Sequence, residues 1–290
     1  MKKIDIFLEF PFTFNRVQEI NATSLDDLYT LFPQRLSKPH RLNFYAIHLY
    51  TSGKGTHQLD FNEINIQPRH MLFISKGQVH SFDPNYSYNG KTLIFTEAFF
   101  CKTNFHREFL SKTLLFNGTS EIPYFPIESR FEELLTLFDH IINELKRPVH
   151  ESQEFILHNY LFNILLIAES QYHPIQKNET TFKQRLLVAD FKKLVDKYVQ
   201  EHHLISFYAR KLNVSIRTLQ NTFQIVKNQS PKAWLMDRII LEIKRYLTYE
   251  DLSIKEIAYM FGFKEVTNFT KFFKDKTGIT PSAFRKSLFA

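Results

Sequence analysis

The last third of this 290-residue chain contains the same pattern of apolar residues twice. Each copy begins with four residues at positions i, i+3, i+4 and i+7, the spacing of one face of an α-helix. These residues are Ile205, Tyr208, Ala209 and Leu212 in the first copy, and Ile254, Ile257, Ala258 and Phe261 in the second. After a short turn a second helix follows in each copy, where Leu219 and Phe223 correspond to Phe269 and Phe273. A short helix, a tight turn and a second helix, present twice, predict a duplicated helix-turn-helix.

Polar and basic side chains occupy the predicted free faces of the two second helices. They are Arg217, Gln220 and Asn221 in the first copy, and Thr267, Asn268 and Lys271, next to Val266, in the second. Arginine, glutamine and asparagine can form paired hydrogen bonds with guanine or adenine in the major groove of DNA. A solvated helix face would also carry such residues, so either helix taken alone leaves both interpretations open. Together with the duplication, these faces favour recognition of duplex DNA.

A serine or threonine followed by proline stands after each second helix. Ser230-Pro231 and Thr280-Pro281 have the residue types that cap a helix and fill its first position. The N-terminus of a helix can also bind a phosphate through its free N–H groups, so Ser230 and Thr280 are predicted at phosphate contacts as well as at caps. The helix from Pro231 to Leu247 would be about 25 Å long. It could hold the two recognition helices about 34 Å apart, which is one turn of DNA.

The basic residues are concentrated in the same region. Residues 181–290 contain 20 lysines and arginines against 10 acidic residues, whereas the remainder contains 17 against 20. This asymmetry is typical of a polyanion-binding module joined to another domain.

The single cysteine, Cys101, excludes an intrachain disulfide and suits a reducing compartment, so a cytoplasmic location is predicted. No signal peptide or membrane span is predicted, because Asp5 and Glu9 interrupt the N-terminal apolar run and the apolar stretch 160–168 is too short.

The N-terminal half shows two different patterns. From Leu42 to about Phe95, short apolar runs alternate with turn signals, which favours a small antiparallel sandwich or barrel. From Glu128 to Gln171 the pattern predicts two helices outside the β unit. The first of them carries an apolar stripe of Leu134, Phe138, Ile141 and Leu145. That stripe could cover the β core or form a dimer seam between two copies of the chain, and its spacing leaves both open.

These patterns divide the chain into two predicted domains of an α+β protein. Residues 1–171 are predicted to form a small β-barrel domain with two flanking helices. Residues 182–290 are predicted to form an all-α domain of seven helices that contains both helix-turn-helix units. The segment 172–181 contains Pro174 and few residues of the kind found in cores, which predicts a linker.

Three stretches of the second copy form a long and specific signature. They are Leu252–Ala258 with Gly262-Phe263, Asn268–Lys274 and Thr277–Arg285. On these stretches, residues 185–287 resemble the DNA-binding domain of the AraC/XylS family of bacterial transcription regulators. The first copy departs from the family at Asn228, where glycine is usual, and the helix after it departs at Ile243, where alanine is common. The resemblance implies base contacts from the residues named above on the two free faces, Val266 included.

The stretches Gly53–His57 and Phe73–Phe82 are similar to the cupin-like sensor half of such regulators. This resemblance implies a domain that binds a small effector, mediates homodimerisation or does both. Tyr45, Phe73 and His80 are predicted to line the effector pocket. The implied target is double-stranded promoter DNA, and an activator of this kind would also contact RNA polymerase.

No metal ligand or catalytic residue is predicted. Cupin enzymes hold a metal with a His-x-His pair, a glutamate and a distant histidine, but His40 is followed by Arg41 and Leu42. His57 and His80 remain as two isolated histidines, which would make a poor metal site. The leading hypothesis is a non-enzymatic transcription regulator without a cofactor. Two alternatives stay open, namely a constitutive DNA binder without an effector and a cupin-type metalloenzyme that carries a helical module.

Overall fold

The computed structural model describes residues 19–85, 87–116, 122–172, 182–227 and 229–287. These residues belong to two compact units, one before and one after the predicted linker. Apart from Tyr172, the predicted linker lies outside the described residues, and so do Asn228, Asp5 and Glu9. The domain boundaries at 171 and 182 therefore stay predictions.

The N-terminal unit contains eight antiparallel strands among its described residues. They are β1 (Ile20–Ser24), β2 (His40–Arg41), β3 (Tyr45–Leu59), β4 (Asn62–Ile66), β5 (His70–Ile74), β6 (Val79–Phe82), β7 (Ser87–Phe95) and β8 (Tyr124–Pro126). The long strand β3 pairs with β5 and β7 along its first part, and with β4 and β6 along its second. The predicted cupin-like β domain is confirmed, although the pairings among the described residues leave the barrel open.

A bend in β3 allows one strand to take part in both layers. The register against β7 shifts between Tyr50 and Ser52, as in a β-bulge. Gly53 follows with a φ of 79°. A Cβ atom at this position would lie 1.8 Å from the carbonyl oxygen of Ser87. Only glycine therefore fits both the backbone conformation and the close approach of β7.

The two faces of the sheet enclose different cores, because side chains alternate along each strand. Ile47 and Leu49 of β3 belong to a large apolar core on the side of the helices. Ala46 and Tyr50 face the other way, into a smaller core in the barrel interior. His48 stands between them at the same period of two, so it also points into the barrel interior.

Six helices accompany these strands in the part of the unit that the structure describes. They are α1 (Leu25–Leu31), α2 (Pro33–Leu36), α3 (Glu97–Phe100), α4 (Asn104–Lys112), α5 (Phe131–Leu145) and α6 (Gln153–Gln171). The predicted flanking helices are α5 and α6, which pack against each other, and α5 also contacts β1.

The apolar stripe of α5 lies inside its own domain. Leu134, Phe138 and Ile141 are fully buried in the large core, and Leu145 is partly buried against it. The dimer seam predicted for this stripe is therefore corrected, because α6 and the sheet already cover these side chains. Of the two readings that the spacing left open, core packing is the one that the structure shows.

The C-terminal unit has seven helices among its described residues, as predicted. They are α7 (Phe182–Tyr198), α8 (Ile205–Lys211), α9 (Ile216–Lys227), α10 (Pro231–Tyr249), α11 (Ile254–Met260), α12 (Val266–Thr277) and α13 (Pro281–Ser287). Helix α10 contacts α8 and α9 of the first copy, and α11 and α13 of the second. None of the helices in the described part of the chain has both the length and the apolar composition that a membrane span requires.

Candidate functional site

The two helix-turn-helix units repeat the same backbone hydrogen bonds in their turns. The N–H of Val214 donates to the carbonyl of Ala209 at 3.0 Å, and the N–H of Phe263 donates to the carbonyl of Ala258 at 3.0 Å. The residue before each donor has a positive φ, 54° at Asn213 and 71° at Gly262. Glycine adopts this conformation readily, and asparagine tolerates it better than most other residues. Both alanines are buried, which lets the paired helices approach closely.

The two turns differ by one residue. The first spans residues 212–215 and the second spans residues 261–265. In the first, the Ser215 hydroxyl accepts a hydrogen bond from the N–H of Thr218 at 3.0 Å and caps α9. In the second, the side chain of Glu265 makes no capping hydrogen bond to α12. The two helix pairs are thus joined by turns of different length, and they differ in the side-chain cap at the start of the recognition helix.

Helix α9 presents its polar residues as the sequence predicts. Leu219 and Phe223 are fully buried in the core of the C-terminal unit. Arg217, Gln220 and Asn221 are exposed on the other side of the helix. The guanidinium and the two amide groups therefore lie together on one accessible face, where they can reach base edges.

Helix α12 has the same arrangement with different side chains. Phe269 and Phe273 are fully buried. Thr267, Asn268 and Lys271 are exposed. Val266 is partly buried and packs against the core, so it has less free surface for the apolar base contact predicted for it than an exposed residue would have.

Ser230 and Thr280 both act as helix caps. The Ser230 hydroxyl accepts from the N–H of Ala233 at 3.1 Å, and the Thr280 hydroxyl accepts from the N–H of Ala283 at 3.2 Å. This is the hydrogen bond that an N-cap provides. Ser230 is exposed and Thr280 is partly exposed, so both remain accessible. Their predicted phosphate contacts stay predictions.

A network of charged groups fixes α10 against α7. A guanidinium nitrogen of Arg238 lies 3.0 Å from Asp196 of α7 and 3.2 Å from Glu242 of α10. Arg245, which has no exposed surface, donates to Glu242 at 2.5 Å. Loss of Glu242 would remove a carboxylate partner of the fully buried guanidinium of Arg245, which is costly for folding. The network therefore fixes the position of α10, the helix between the two helix-turn-helix copies.

The barrel interior of the N-terminal unit contains a cluster of buried histidines, which we call the histidine cluster: His40 on β2, His48 and His57 on β3, and His80 on β6. His57 Nε2 and His80 Nδ1 are 3.1 Å apart, so one ring donates a hydrogen bond to the other. The ring centroids of His40 and His80 are 4.2 Å apart, and that of His48 lies 5.5 Å from His57. The two histidines that looked isolated in the sequence are therefore in direct contact.

Burial keeps the histidine cluster neutral. It lowers the pKa of His48 to about 3, with a smaller contribution from the charge of His40. Burial also lowers the pKa of His40, and it lowers the pKa values of His57 and His80 well below 6.5, because a cation is poorly solvated there. A neutral imidazole has one nitrogen with a free lone pair, which can bind a proton donor or a metal ion.

Several buried polar atoms in and next to the histidine cluster have no hydrogen-bond partner among the residues that the structure describes. They are both ring nitrogens of His48, Nδ1 of His57 and the hydroxyl of Tyr50. Buried polar groups in folded proteins nearly always have a partner. These atoms therefore mark the barrel interior as a place where a ligand would complete the hydrogen bonding or coordination.

The structure does not bring the three predicted pocket residues together. Tyr45 and Phe73 face the large core, where both contact the ring of Phe116. His80 faces the barrel interior with His48. The prediction that these residues share one pocket is therefore corrected. Side chains alternate between the two faces of each strand, and the sequence alone does not show which residues face the interior. The signal that sequence reasoning missed is His48, which shares the period of two with Ala46 and Tyr50.

Comparisons with known proteins match both halves of the chain. Residues 29–159 match a family model described as an AraC-like ligand binding domain. Residues 208–287 match a family model described as a helix-turn-helix domain. The two matches fall on the unit that holds the histidine cluster and on the unit that holds the duplicated turns.

The HTH-type transcriptional regulator ExsA of Pseudomonas aeruginosa is 31% identical over 93 residues, which are 31% of this chain and 34% of ExsA. That match thus spans about a third of the relative. The virulence regulon transcriptional activator VirF of Yersinia enterocolitica is 23% identical over 201 residues, which are 58% of this chain and 74% of VirF. The solved structure of ToxT from Vibrio cholerae shares 14% identity, covers 93% of this chain and 98% of its own, and has a TM-score of 0.43.

The matches decide between a regulator and an enzyme. Both matched domains are parts of transcription regulators, and the relatives are named as regulators or activators, so the prediction of a non-enzymatic protein is confirmed. The chain belongs to the AraC/XylS family of transcription regulators, with an N-terminal ligand-binding domain and a C-terminal helix-turn-helix DNA-binding domain.

Proposed function

We propose that this protein binds promoter DNA with α9 and α12 in two successive segments of the major groove. The observation that carries the proposal is the exact repetition of the turn hydrogen bonds at Val214 and Phe263, combined with different exposed side chains on the helix that follows. The shared hydrogen bond closes the turn before each recognition helix, although the second turn is one residue longer. Different side chains give each helix its own base preference.

The length of α10 suits this arrangement. It has 19 residues, which gives about 28 Å at the rise of an α-helix. It begins after Ser230 and ends two residues beyond the predicted Leu247, at Tyr249. Because α10 contacts helices of both copies, it can keep them about one DNA turn apart, roughly 34 Å.

The base contacts are assigned by the chemistry of the exposed groups. Arg217 can donate two hydrogen bonds to guanine, and Asn221 or Asn268 can pair with adenine. Lys271 can reach guanine or a neighbouring phosphate. The proposed base contacts also include Gln220 and Thr267, and Val266 through its exposed surface.

Phosphate contacts would hold the protein in register on the duplex. Ser230 caps the N-terminus of α10, where free N–H groups and the helix dipole favour an anion. Thr280 has the same place before α13 and is proposed to add a hydroxyl contact. The excess of basic residues in 181–290 supplies the general attraction to the DNA backbone.

The N-terminal unit is proposed to bind a small effector in the barrel interior. The support is the set of buried atoms without partners, which includes the hydroxyl of Tyr50 and both ring nitrogens of His48. An effector bound there would change how the helix-turn-helix units are presented to DNA.

Since VirF is named an activator, contact with RNA polymerase is proposed as well. Such a regulator would act in the cytoplasm, where promoter DNA is found.

A homodimer is also proposed, through a surface other than the stripe on α5. On helix α6, large apolar side chains stay exposed in the described part of the domain, with Phe155 70% exposed and Leu166 44% exposed. Phe162 lies between them, and its ring contacts that of Phe105, which is 62% exposed. A stripe at spacings of seven and four residues can pack against the same stripe of a second chain.

Selection of bound DNA from a random pool, at near-physiological salt, tests the proposed function. The expected result is an enriched site with two blocks whose centres lie about one turn, 10–10.5 base pairs, apart. Salt must be fixed because the non-specific background depends on it. Enrichment of no motif would contradict sequence-specific recognition. A single block would contradict the use of both helices.

A further inference from the structure

We propose that His48, His57 and His80 form a binding site for one divalent transition-metal ion inside the N-terminal unit. The sequence pattern predicts no metal here, because nothing in it brings His48 next to the other two histidines. The inference does not depend on how the C-terminal unit contacts DNA. It concerns what the interior of the N-terminal unit holds.

The geometry of the three imidazoles is close to that of a metal centre. One ring nitrogen from each of the three histidines can be chosen so that all three atoms lie within 4.8 Å of one another. Zinc–nitrogen bonds are about 2.0–2.1 Å long, so the nitrogens of a tetrahedral site lie about 3.3 Å apart. Small rotations of the side chains would close this difference.

The backbone supports such a closure. His57 and His80 lie on the paired strands β3 and β6, and His48 lies earlier on β3, before the bend. The two parts of β3 thus bring His48 and His57 to the same interior from different layers. A site built from paired strands holds its ligands more precisely than one built from loops.

The hydrogen bonding of the three rings also suits a metal ion. A purely structural role accounts for the hydrogen bond between His57 and His80. It leaves both nitrogens of His48 and Nδ1 of His57 without partners in the described part of the chain. A bound cation would use such lone pairs.

The ligand set points to a class of metal. Three imidazoles without a carboxylate suit zinc, cobalt, nickel or copper, whereas calcium and magnesium prefer oxygen ligands. Three protein ligands leave a fourth position open for water or for an anionic group of a small molecule. His40, whose ring packs on His80 and whose Nδ1 lies 2.9 Å from the carbonyl oxygen of Lys38, would orient His80 from outside the site.

Cobalt provides the test, because four-coordinate Co²⁺ absorbs visible light and Zn²⁺ should displace it. The full-length chain, treated with a chelator and dialysed, is titrated with Co²⁺. We expect a visible absorption band that saturates at one ion per chain and is lost on addition of Zn²⁺. We also expect that Zn²⁺ raises the melting temperature of the chelator-treated protein, because it binds the folded state.

The variants His48→Gln and His80→Gln should weaken Co²⁺ binding by at least about tenfold, and Zn²⁺ should no longer raise their melting temperatures. His140→Gln is the matched control, since His140 is exposed on α5. It should behave like the unmodified protein. Circular dichroism shows whether each variant is folded, and a folded His48→Gln with unchanged Co²⁺ binding would overturn the proposal. No visible band in the unmodified protein would overturn it as well, and neither result would touch the proposed DNA binding.

Discussion

The side chain of Lys192 shows how strongly a single residue can depart from its usual environment. Only 4% of its surface is exposed, and its ammonium nitrogen lies 5.7 Å from the centroid of the Trp234 ring. Burial lowers the pKa of Lys192 well below 10.5, and the nearby charge of Lys227 lowers it further. In the unfolded chain the same lysine would be protonated throughout the neutral range.

Replacement of Lys192 by methionine should therefore stabilise the C-terminal unit at pH 7. Methionine fills a similar volume without a charge, and the exchange of buried charged groups for apolar residues of similar volume can raise the free energy of unfolding by about 1–4 kcal/mol. Lys192→Met and Lys193→Met, a control at an exposed position, can be compared by urea unfolding at pH 7 and pH 10.

The sign of the pH effect follows from the depressed pKa. Between the pKa in the folded state and 10.5, the unfolded state binds more protons, so the unmodified protein gains stability as the pH rises. The advantage of Lys192→Met should thus shrink from pH 7 to pH 10. An advantage that stays constant, or a loss of stability at pH 7, would show that the ammonium group is not a cost to folding.

Single residues also show which features could be predicted from the sequence and which could not. The buried and exposed residues of α9 and α12 follow from helical periodicity, because a helix has one apolar face whatever surrounds it. His48 could not be placed in the same way, since a strand with apolar residues on both faces gives no sign of which face is the interior. The positive φ of Asn213 was missed because asparagine is a weaker signal than the glycine at the corresponding position, Gly262.

At the scale of elements, the sequence pattern correctly gave the seven C-terminal helices and the two helices after the strands. The pattern left two roles open for α5, because an apolar stripe has the same spacing whether it packs on a core or on a second chain. In the structure the stripe of α5 is buried, and the uncovered apolar face belongs to α6 instead. That face combines positions at intervals of seven and four, with two exposed large side chains at Phe155 and Leu166.

The proposed dimer can be tested on this face of α6. Leu166→Glu would place a charge on the exposed apolar face of α6, so we expect the chain to become monomeric while it stays folded. Asn143→Glu introduces the same charge on an exposed part of α5 and should leave a dimer intact. Sedimentation velocity measures both. If Leu166→Glu remains dimeric, the second chain does not bind here.

At the scale of the whole molecule, the chain combines a repeated DNA-binding scaffold with a β domain whose interior holds neutral histidines. The two copies share buried residues and turn hydrogen bonds, yet their exposed residues differ, as Arg217 and Asn268 illustrate. Because the two copies have the same core but different exposed side chains, one chain can recognise two different DNA sequences. The central claim is that each recognition helix specifies its own block of the operator.

The most direct test compares the DNA that is selected from a random pool by the unmodified protein, by Arg217→Ala and by Asn268→Ala. Each variant should lose its base preference in one block only, with a cost of about 1–3 kcal/mol on the full operator, while the other block stays enriched. Loss of preference at the same positions in both variants would contradict the account. So would an equal loss of affinity for operator and random DNA, because these side chains would then bind only the backbone.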